Sequence, residues 1–353
     1  MEETPLQAAR ARTLKELAER LGVSVTTVSR ALAGHEQIAR RTRERVAQAA
    51  RDMGYVPNIA GRQLVSGRSN FVGFIIPLRG PNFMDSYLGE FVTGLSEGLV
   101  SHGIDLIIAT VQSGQSELDV LRHLVESGRA DGVVIPRIAA QDERVEYLCH
   151  HDFPFVAHGR VENPELTYSW LDADGQSAFE EAFDLLYALG HRHFGIVSIS
   201  EEMTFRNLRE RGFKLAMERR NDPELRLDIV RAPRFDRGEM VSAIGRLLDA
   251  PNRPTAIMGL FDEIALTIMD EAKRREISIP RDMSVLGFDN IAASAYAPPG
   301  LTTFEVETRS MAREIAHILV RRIEGEPAGQ GNTLIRPTLV ARASHGPVPL
   351  NGH

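Results

Sequence analysis

The 353-residue sequence contains one cysteine, Cys149. A single thiol cannot close an intramolecular disulfide or build a cysteine-rich zinc site. No run of 18 apolar residues occurs, so nothing reads as a membrane span. The opening stretch MEETPLQAARARTLKELAERLG is charged and amphipathic and lacks the apolar core of a secretory signal. A reducing cytoplasm is the expected address. Lysine is scarce, with only Lys15, Lys214 and Lys273. None precedes Ser or Thr, which excludes a Walker A loop. No G-x-S-x-G elbow is present, and His35-Glu36 runs on into Gln, Ile and Ala rather than completing H-E-x-x-H. His150-His151-Asp152 and His191-Arg-His193 come nearest to a metal cluster. Adjacent histidines point apart, so no metal and no cofactor is expected. No catalytic triad assembles, and the expectation is a protein that is not an enzyme. The enzymatic alternative is a DNA-binding head fused to a sugar-modifying domain.

What is present is an ordinary globular mixture, 43% hydrophobic and 25% charged, which rules out collagen-like, coiled-coil and wholly disordered chains. The net charge of −7 hides an asymmetry. Residues 1–68 hold 12 Lys/Arg against 7 Asp/Glu, and the remainder holds 29 against 41. A basic head on an acidic body points to a polyanionic partner for the head. Chance segregation of surface charge gives the same numbers, so the motifs must decide.

Residues 12–56 read as three short helices. Thr13-Leu-Lys-Glu16 is a capping box. Leu14, Leu17, Ala18 and Leu21 then form one apolar face, which Gly22 ends. Ser24 can cap a second helix carrying Val25, Val28, Ala31 and Leu32, stopped by Gly34. A third runs from about Arg41 to Met53, with Gly54 as its terminator. Two short helices joined by a turn containing Gly make a helix-turn-helix. Its second helix enters the major groove N-terminus first. Here that end offers Val25, Thr26 and Thr27, with Ser29 and Arg30 one turn on. Val or a Thr methyl suits a thymine methyl, and Arg30 can fork onto guanine. The same spacing also fits a small helical protein-interaction module whose hydroxyls merely cap helices.

Residues 57–69 are linker-like. Pro57 breaks the third helix, and Asn58 can cap a two-turn helix that Gly61 weakens by about 1 kcal/mol relative to Ala. Ile59, Ala60 and Leu64 give that helix an apolar stripe. Such a segment folds against a partner or stays a linker.

Residues 70–342 alternate strand and helix. The first series has strands at Phe71–Ile76, Ile104–Thr110, Asp131–Pro136 and Phe155–His158, with helices Phe83–His102, Gln115–Ser127 and Asp142–His150. The second has helices Gly175–Leu189, Phe205–Arg220, Arg237–Leu248, Glu263–Arg275 and Arg309–Arg322. Its strands are His193–Ser198, Arg226–Val230, Ala256–Leu260, Ser284–Gly287 and Leu334–Ala341. The alternation means α/β lobes with doubly wound parallel sheets. Ligands in such sheets bind beyond the strand C-termini, so a cleft between two lobes is the natural site. Residues 343–353 read as a disordered tail.

Several linked motifs make a more specific pattern. They are L-K-E-L-A, GVSVTTVSRAL, T-R-E-R-V and Y-V-PN-I-A-G-R-Q-L in the first 68 residues. VGFIIP, GHRHFGIVS, RERGF, RPTAIMGLFDEIAL, SVLGFDN and PPGLTTFEVE follow in the body. Over nearly its whole length the chain resembles the lactose-repressor/galactose-repressor family. The resemblance implies an N-terminal all-α helix-turn-helix head, a hinge helix, and a two-lobed effector domain with the fold of periplasmic sugar-binding proteins. It implies chain crossovers between lobes near residues 160, 290 and 305. It also implies a cytoplasmic homodimer on a pseudo-palindromic DNA operator, controlled by a small carbohydrate. Thr13, Ser24, Val25, Thr26, Thr27, Ser29, Arg30, Tyr55, Asn58, Gly61 and Leu64 are the DNA-contacting set it implies. Within the family, FVAHGR and the PNF region resemble regulators of α-glucoside uptake genes. A cytoplasmic sugar sensor acting through protein contacts is the alternative in another class.

For the effector, the resemblance implies Arg209, which opens the R-x-x-G-F motif, and Asp289, after SVLGF. It adds Trp170 as a pocket wall, with Phe83 and Phe235 as further candidates. A guanidinium donates two parallel bonds to adjacent hydroxyls. The plainer readings are a solvated helix charge, a turn-forming Asp and a core Trp. The sequence departs from the family pattern at Gly61, where Ala is usual, and at Phe261-Asp262, where an aromatic ring replaces a hydroxyl-binding Asn. Arg137, His158 and Arg160 stand where they can face the cleft. A basic cleft would suit an acidic or phosphorylated sugar; equally, these arginines can pair with the acidic body.

In the family, a hinge leucine is wedged between base pairs of the minor groove. Leu64 occupies the matching position. Leu64→Ala is expected to weaken operator binding while leaving effector binding intact, which a gel shift and calorimetry on the same protein would check.

Overall fold

A computed structural model describes residues 13–32, 35, 37–55, 67–77, 86–112 and 114–349. Most of the expected hinge, including Asn58, Gly61 and Leu64, lies outside the described residues, as does Phe83. The chain forms two compact units, Met1–Ser69 and Asn70–His353. Among the described residues no helix is long and apolar enough to cross a membrane.

The first unit is three helices, α1 (Leu14–Leu21), α2 (Val25–Leu32) and α3 (Arg40–Met53). The expected capping box is formed: Glu16 N–H donates to Thr13 Oγ1 at 3.2 Å, and Thr13 N–H donates to Glu16 Oε2 at 3.0 Å. Gly22 and Gly54 close α1 and α3 at φ +65° and +63°, the left-handed region that glycine enters without strain. Leu17, Val28 and Val46, one from each helix, have no exposure and form the centre of a small core. Arg45 of α3 donates to the Leu21 carbonyl at 3.1 Å, satisfying a C-terminal group that α1 cannot.

The second unit contains two parallel sheets. The first lobe is built from β1 (Phe71–Pro77), α4 (Ser86–Val100), β2 (Asp105–Val111) and α5 (Glu117–Glu126). It continues with β3 (Gly132–Pro136), α6 (Glu143–His150), β4 (Phe155–His158) and β5 (Ser169–Ala173). The second comprises α7 (Gly175–Ala188), β6 (His193–Ile199), α8 (Thr204–Arg220) and β7 (Arg226–Ala232). It goes on with α9 (Arg237–Leu248), β8 (Ala256–Gly259), α10 (Asp262–Arg274) and β9 (Ser284–Leu286). After them come α11 (Ala292–Tyr296), β10 (Thr303–Glu305), α12 (Thr308–Ile323), β11 (Thr333–Ile335) and β12 (Thr338–Val340). The sheet orders are β11-β5-β4-β3-β1-β2 and β7-β6-β8-β9, with β10 and β12 paired antiparallel. All pairings in the two larger sheets are parallel.

Strand β3 shows why these sheets are covered on both faces. Its period of two sends Val134 into a core shared with Leu95 of α4 and Ile315 of α12. Val133 and Ile135 face the other way, into a core with Leu121 of α5 and Leu148 of α6. Helices α4 and α12, distant in sequence, approach closely through two glycines. A Cβ on Gly94 would sit 2.2 Å from the Arg309 carbonyl oxygen, and one on Gly98 would sit 2.6 Å from Ala316 Cβ.

The lobes are discontinuous, but the chain changes lobes at other points than expected. It crosses between β5 and α7 at Asp174, between β10 and α12 near residue 306, and between β11 and β12 near residue 336. The expected crossover near 305 matches the second of these. No crossover is seen near 160, because β5 adds to the edge of β4 before the chain leaves the first sheet. None is seen near 290, because Asp289 N–H bonds the Phe304 carbonyl within the second lobe. The expected single strand Leu334–Ala341 is two strands in different sheets. Pro337, which has no N–H to give a ladder, separates them.

The expected disordered tail is also corrected over residues 343–349. Ser344 has no exposure; its Oγ donates to the Val285 carbonyl at 2.6 Å and accepts from Thr302 N–H at 2.8 Å. The Gly346 carbonyl lies 3.0 Å from His191 Nε2, and Val348 N–H donates to the Leu189 carbonyl at 2.9 Å. The segment supplies partners that the second lobe cannot make for itself. Ending the chain at Ala343 would orphan the Val285 N–H and carbonyl and the Thr302 N–H. At about 1 kcal/mol or more per buried group, the loss is about 3 kcal/mol. The expected fall in unfolding temperature, read by calorimetry, is at least ~5 °C.

Candidate nucleic-acid interface and ligand cleft

In the head, the hydroxyls divide into two groups. Ser24 Oγ accepts from Thr27 N–H at 3.0 Å, and the Ser24 and Thr27 hydroxyls bond each other at 2.8 Å. With Thr13 engaged in its capping box, three of the predicted DNA-contacting hydroxyls already hold helix ends. Val25, Thr26, Ser29 and Arg30 instead form the outward face of α2. Val25 is 44% exposed, so it stands outside the apolar stripe that buries Val28 and Ala31. Arg30 makes no ion pair among the described residues. Tyr55 is half-buried against the head core, and its N–H donates to the Ala50 carbonyl at 2.9 Å.

In the second unit, a cleft lies at the C-terminal ends of strands from both sheets. The first lobe contributes Arg137 and Ile138 after β3, His158 and Arg160 at the end of β4, and Asp172 of β5. The second contributes Thr204, Phe205 and Arg209 of α8, Arg234 and Phe235 after β7, Phe261 after β8, and Phe288 and Asp289 after β9. The lobes also touch directly. Ala139 and Met203 form an antiparallel bridge, and Thr204 N–H donates to the Ile138 carbonyl at 2.9 Å.

Arg209 is the centre of the arrangement. It is 8% exposed, and its Nη1 donates to the Leu260 carbonyl at 2.6 Å. Its guanidinium carbon stands 3.7 Å from the centre of the Phe288 ring and 5.1 Å from that of Phe205. Gly175 makes room for it, since a Cβ there would lie 2.9 Å from Arg209 Cγ. Nη2 is 4.0 Å from Asp289 Oδ1, too far for a direct hydrogen bond. Arg209 Nε and Thr204 Oγ1 are both buried with no hydrogen-bond partner among the described residues. Groups of this kind need an acceptor or donor from elsewhere.

Asp289 sits at φ +110°, and burial pushes its carboxyl up to about 8, with the neighbouring Arg209 pulling the other way. His158 moves down from its ordinary value through burial, so it is neutral at pH 7 and adds no charge. Its Nδ1 donates to the Leu171 carbonyl at 3.2 Å, leaving Nε2 to accept from the Tyr87 hydroxyl. Arg160 donates to Asp172 Oδ2 at 2.9 Å. Of the basic groups expected to face the cleft, one is thus neutral and one is paired.

Six of the eight predicted effector residues line the cleft: Arg137, His158, Arg209, Phe235, Phe261 and Asp289. Phe83 lies outside the described residues. Trp170 is not in the wall. It lies two residues before Asp172 on β5, short of the strand's C-terminal end, and packs into the first lobe's core with Arg160 over its ring. The reading missed Tyr87, Asp172, Thr204, Phe205, Phe288 and Arg234. Thr204 and Phe205 lie about one helical turn before Arg209 of the R-x-x-G-F motif, and Phe288 belongs to SVLGFDN itself, which is the signal that could have found them. Among the described residues no group of three His, Cys, Asp or Glu could hold a metal.

Comparison with known proteins places this geometry. Residues 13–58 match the lacI family of bacterial regulatory proteins, and residues 183–345 match a periplasmic binding protein-like domain. The HTH-type transcriptional regulator AglR of Rhizobium meliloti (strain 1021) is 32% identical over 342 residues, 95% of each chain. The chain belongs to the lacI family. The HTH-type transcriptional repressor CytR of Escherichia coli (strain K12) is 29% identical, covering 96% of this chain and 98% of its own. A solved structure of a CelR–cellobiose complex superposes with a TM-score of 0.70 at 27% identity, covering 94% of this chain and 99% of that one. In this lacI-family protein the expected two-lobed, parallel-sheet effector domain is thus present behind a helix-turn-helix head.

Because Arg209 lowers the Asp289 midpoint, Arg209→Ala is expected to raise it above about 8. Carboxyl NMR through a pH titration would check the shift. An unchanged midpoint would mean that the two groups do not interact within the cleft wall.

Proposed function

We propose that this chain is a sequence-specific DNA-binding transcriptional regulator, acting as a repressor of carbohydrate uptake or utilisation genes, with α-glucoside genes the first to examine. A small carbohydrate in the inter-lobe cleft controls it. The observation that carries the DNA-binding half is the outward face of α2. Val25, Thr26, Ser29 and Arg30 stand clear of the head core on the helix that a helix-turn-helix places in the major groove. The basic balance of residues 1–68 supports it, since phosphate contacts need cations. The gap between Arg209 and Asp289 supports the effector half. Both are donors or acceptors for ring hydroxyls, and phenylalanine rings surround them. The cellobiose bound by CelR and the repressor CytR among its relatives agree with this reading.

The mechanism is a population shift in a cytoplasmic homodimer. Two recognition helices read the half-sites of a pseudo-palindrome, as two-fold symmetry requires. Residues 57–69 act as the hinge that orders on the operator, and Leu64 is its minor-groove wedge. An effector that prefers one arrangement of the lobes shifts the dimer toward it and changes operator affinity.

Selection of genomic fragments by the purified protein, followed by sequencing, tests this. A shared pseudo-palindrome beside sugar-transport genes is the expected result. Arg30→Ala should then relax base preference at one position per half-site, costing about 1 to 3 kcal/mol there. Retention without any shared site, insensitive to salt, would sink the regulator reading.

A further inference from the structure

The cleft is not one chamber but two that share a wall. The inner chamber, about 110 Å³, is the one holding Arg209 and Asp289, and Tyr87, Phe91, Phe205, Phe235, Phe261 and Phe288 turn aromatic rings to it. The outer chamber, about 330 Å³, includes Gln115, Gln141, Glu143 and Glu201. Arg137, Phe205, Arg234 and Phe235 belong to both walls, so the chambers adjoin along those four side chains. Small-molecule sites ordinarily hold about 300 to 1,000 Å³. The inner chamber alone falls short of that range, and the two together lie within it.

We propose that the effector is a neutral saccharide of at least two units, with one ring in the inner chamber and the next in the outer. This rests on the inter-lobe cleft being the effector site. The chemistry changes along the path as such a ligand requires. Inside, Arg209 Nη2 and Asp289 Oδ1 stand 4.0 Å apart and offer a donor and an acceptor to the hydroxyls of the first ring. At the junction Phe235 is 39% exposed and offers an aromatic face to the C–H side of a sugar. Outside, amides and carboxylates join the shared rings of Phe205 and Phe235. Gln115 and Gln141 both donate and accept, as sugar hydroxyls do. Glu143 and Glu201 supply acceptors. The same wall carries Arg137, Arg144 and Arg234, but Arg144 is held by Glu117 and Asp142, so four carboxylates stand against three guanidiniums and the wall has no excess of positive charge to draw a phosphate or carboxylate. A neutral polyol satisfies it.

Titration calorimetry of the full-length protein tests the proposal with glucose, galactose and their α- and β-linked di- and trisaccharides. A disaccharide should bind at least tenfold tighter than either of its monosaccharides. Gln141 is exposed and belongs only to the outer wall, so Gln141→Trp should narrow that chamber without touching the core. It should cut disaccharide affinity at least tenfold, and Gln115→Trp should do the same from the opposite sequence segment. A monosaccharide that binds as tightly as its dimers, with binding abolished by Arg209→Ala, would overturn the two-unit reading and leave the cleft reading standing. A dimer preference indifferent to both tryptophans would overturn the placement in the outer chamber. No binding by any of these sugars would overturn this inference and the cleft reading together.

Discussion

One buried carboxylate shapes the second lobe's half of the cleft. Asp262, at the start of α10, has no exposure. It accepts from Ile291 N–H at 3.0 Å, Ser294 Oγ at 2.6 Å and Thr303 Oγ1 at 2.5 Å. These donors come from the loop after β9, from α11 and from β10, so one side chain ties three segments to the start of α10. The cost is a desolvated carboxyl, which burial drives above its ordinary range despite the three bonds. The gathering also leaves no room at Gly287, where a Cβ would lie 2.2 Å from Asp262 Oδ1. The backbone that passes this point then delivers Phe288 beneath the Arg209 guanidinium and Asp289 opposite it. The geometry of the proposed hydroxyl-binding pair is therefore inherited from a residue that is not in the cleft wall.

The head shows the opposite economy, in which local interactions suffice. Thr13, Ser24 and Thr27 hold helix ends through bonds spanning three residues. Arg45 closes α1 from α3. With the caps satisfied internally, the outward face of α2 is free of structural duties. Substitutions at Thr26, Ser29 and Arg30 can then change what the helix reads without changing whether it forms. This separation suits a recognition surface, because specificity at base edges is altered by exchanging side chains on a fixed backbone.

How much of this was legible in the sequence follows from the range of the interactions. The capping box at Thr13, the apolar periodicity of α1 to α3, and the α/β alternation are all written within windows of a few residues, and the structure carries them. Strand β5 escapes the local pattern because SWLDA carries a buried polar residue, Asp172, toward its C-terminal end, and finds its place only by pairing with β4. Strand β10 and helix α11 were missed because Asp262, some 30 to 40 residues away, organises them. The lobe changes at 174 and 336 depend on which sheet edge each strand joins, which no local pattern encodes. Trp170 was placed in the wall by its neighbourhood in sequence; its strand runs on to Asp172 before reaching the cleft. The tail looked disordered from its Gly, Pro and Asn content, but Ser344 fits a position beside Val285 and Thr302 that only the folded lobe creates.

The same orphaned groups set the scale of regulation. Moving a two-state equilibrium from 1:99 to 99:1 takes about 5.5 kcal/mol of differential binding. A buried polar group left without a partner costs about 1 to 3 kcal/mol. Thr204 is enclosed where its N–H meets Ile138 of the first lobe, and Arg209 Nε is buried against Gly175 near the lobe junction. A ligand that satisfies both gains roughly 2 to 6 kcal/mol from the two groups together, by the same per-group cost. Opening the lobes would return part of that gain, because water can serve the same atoms. A ligand held only by Arg209 and Asp289, both in the second lobe, would bind either arrangement and shift little. Control of the proposed kind therefore falls to groups enclosed where the lobes meet, such as Thr204 Oγ1 and Arg209 Nε, more than to the charge pair that the motifs single out.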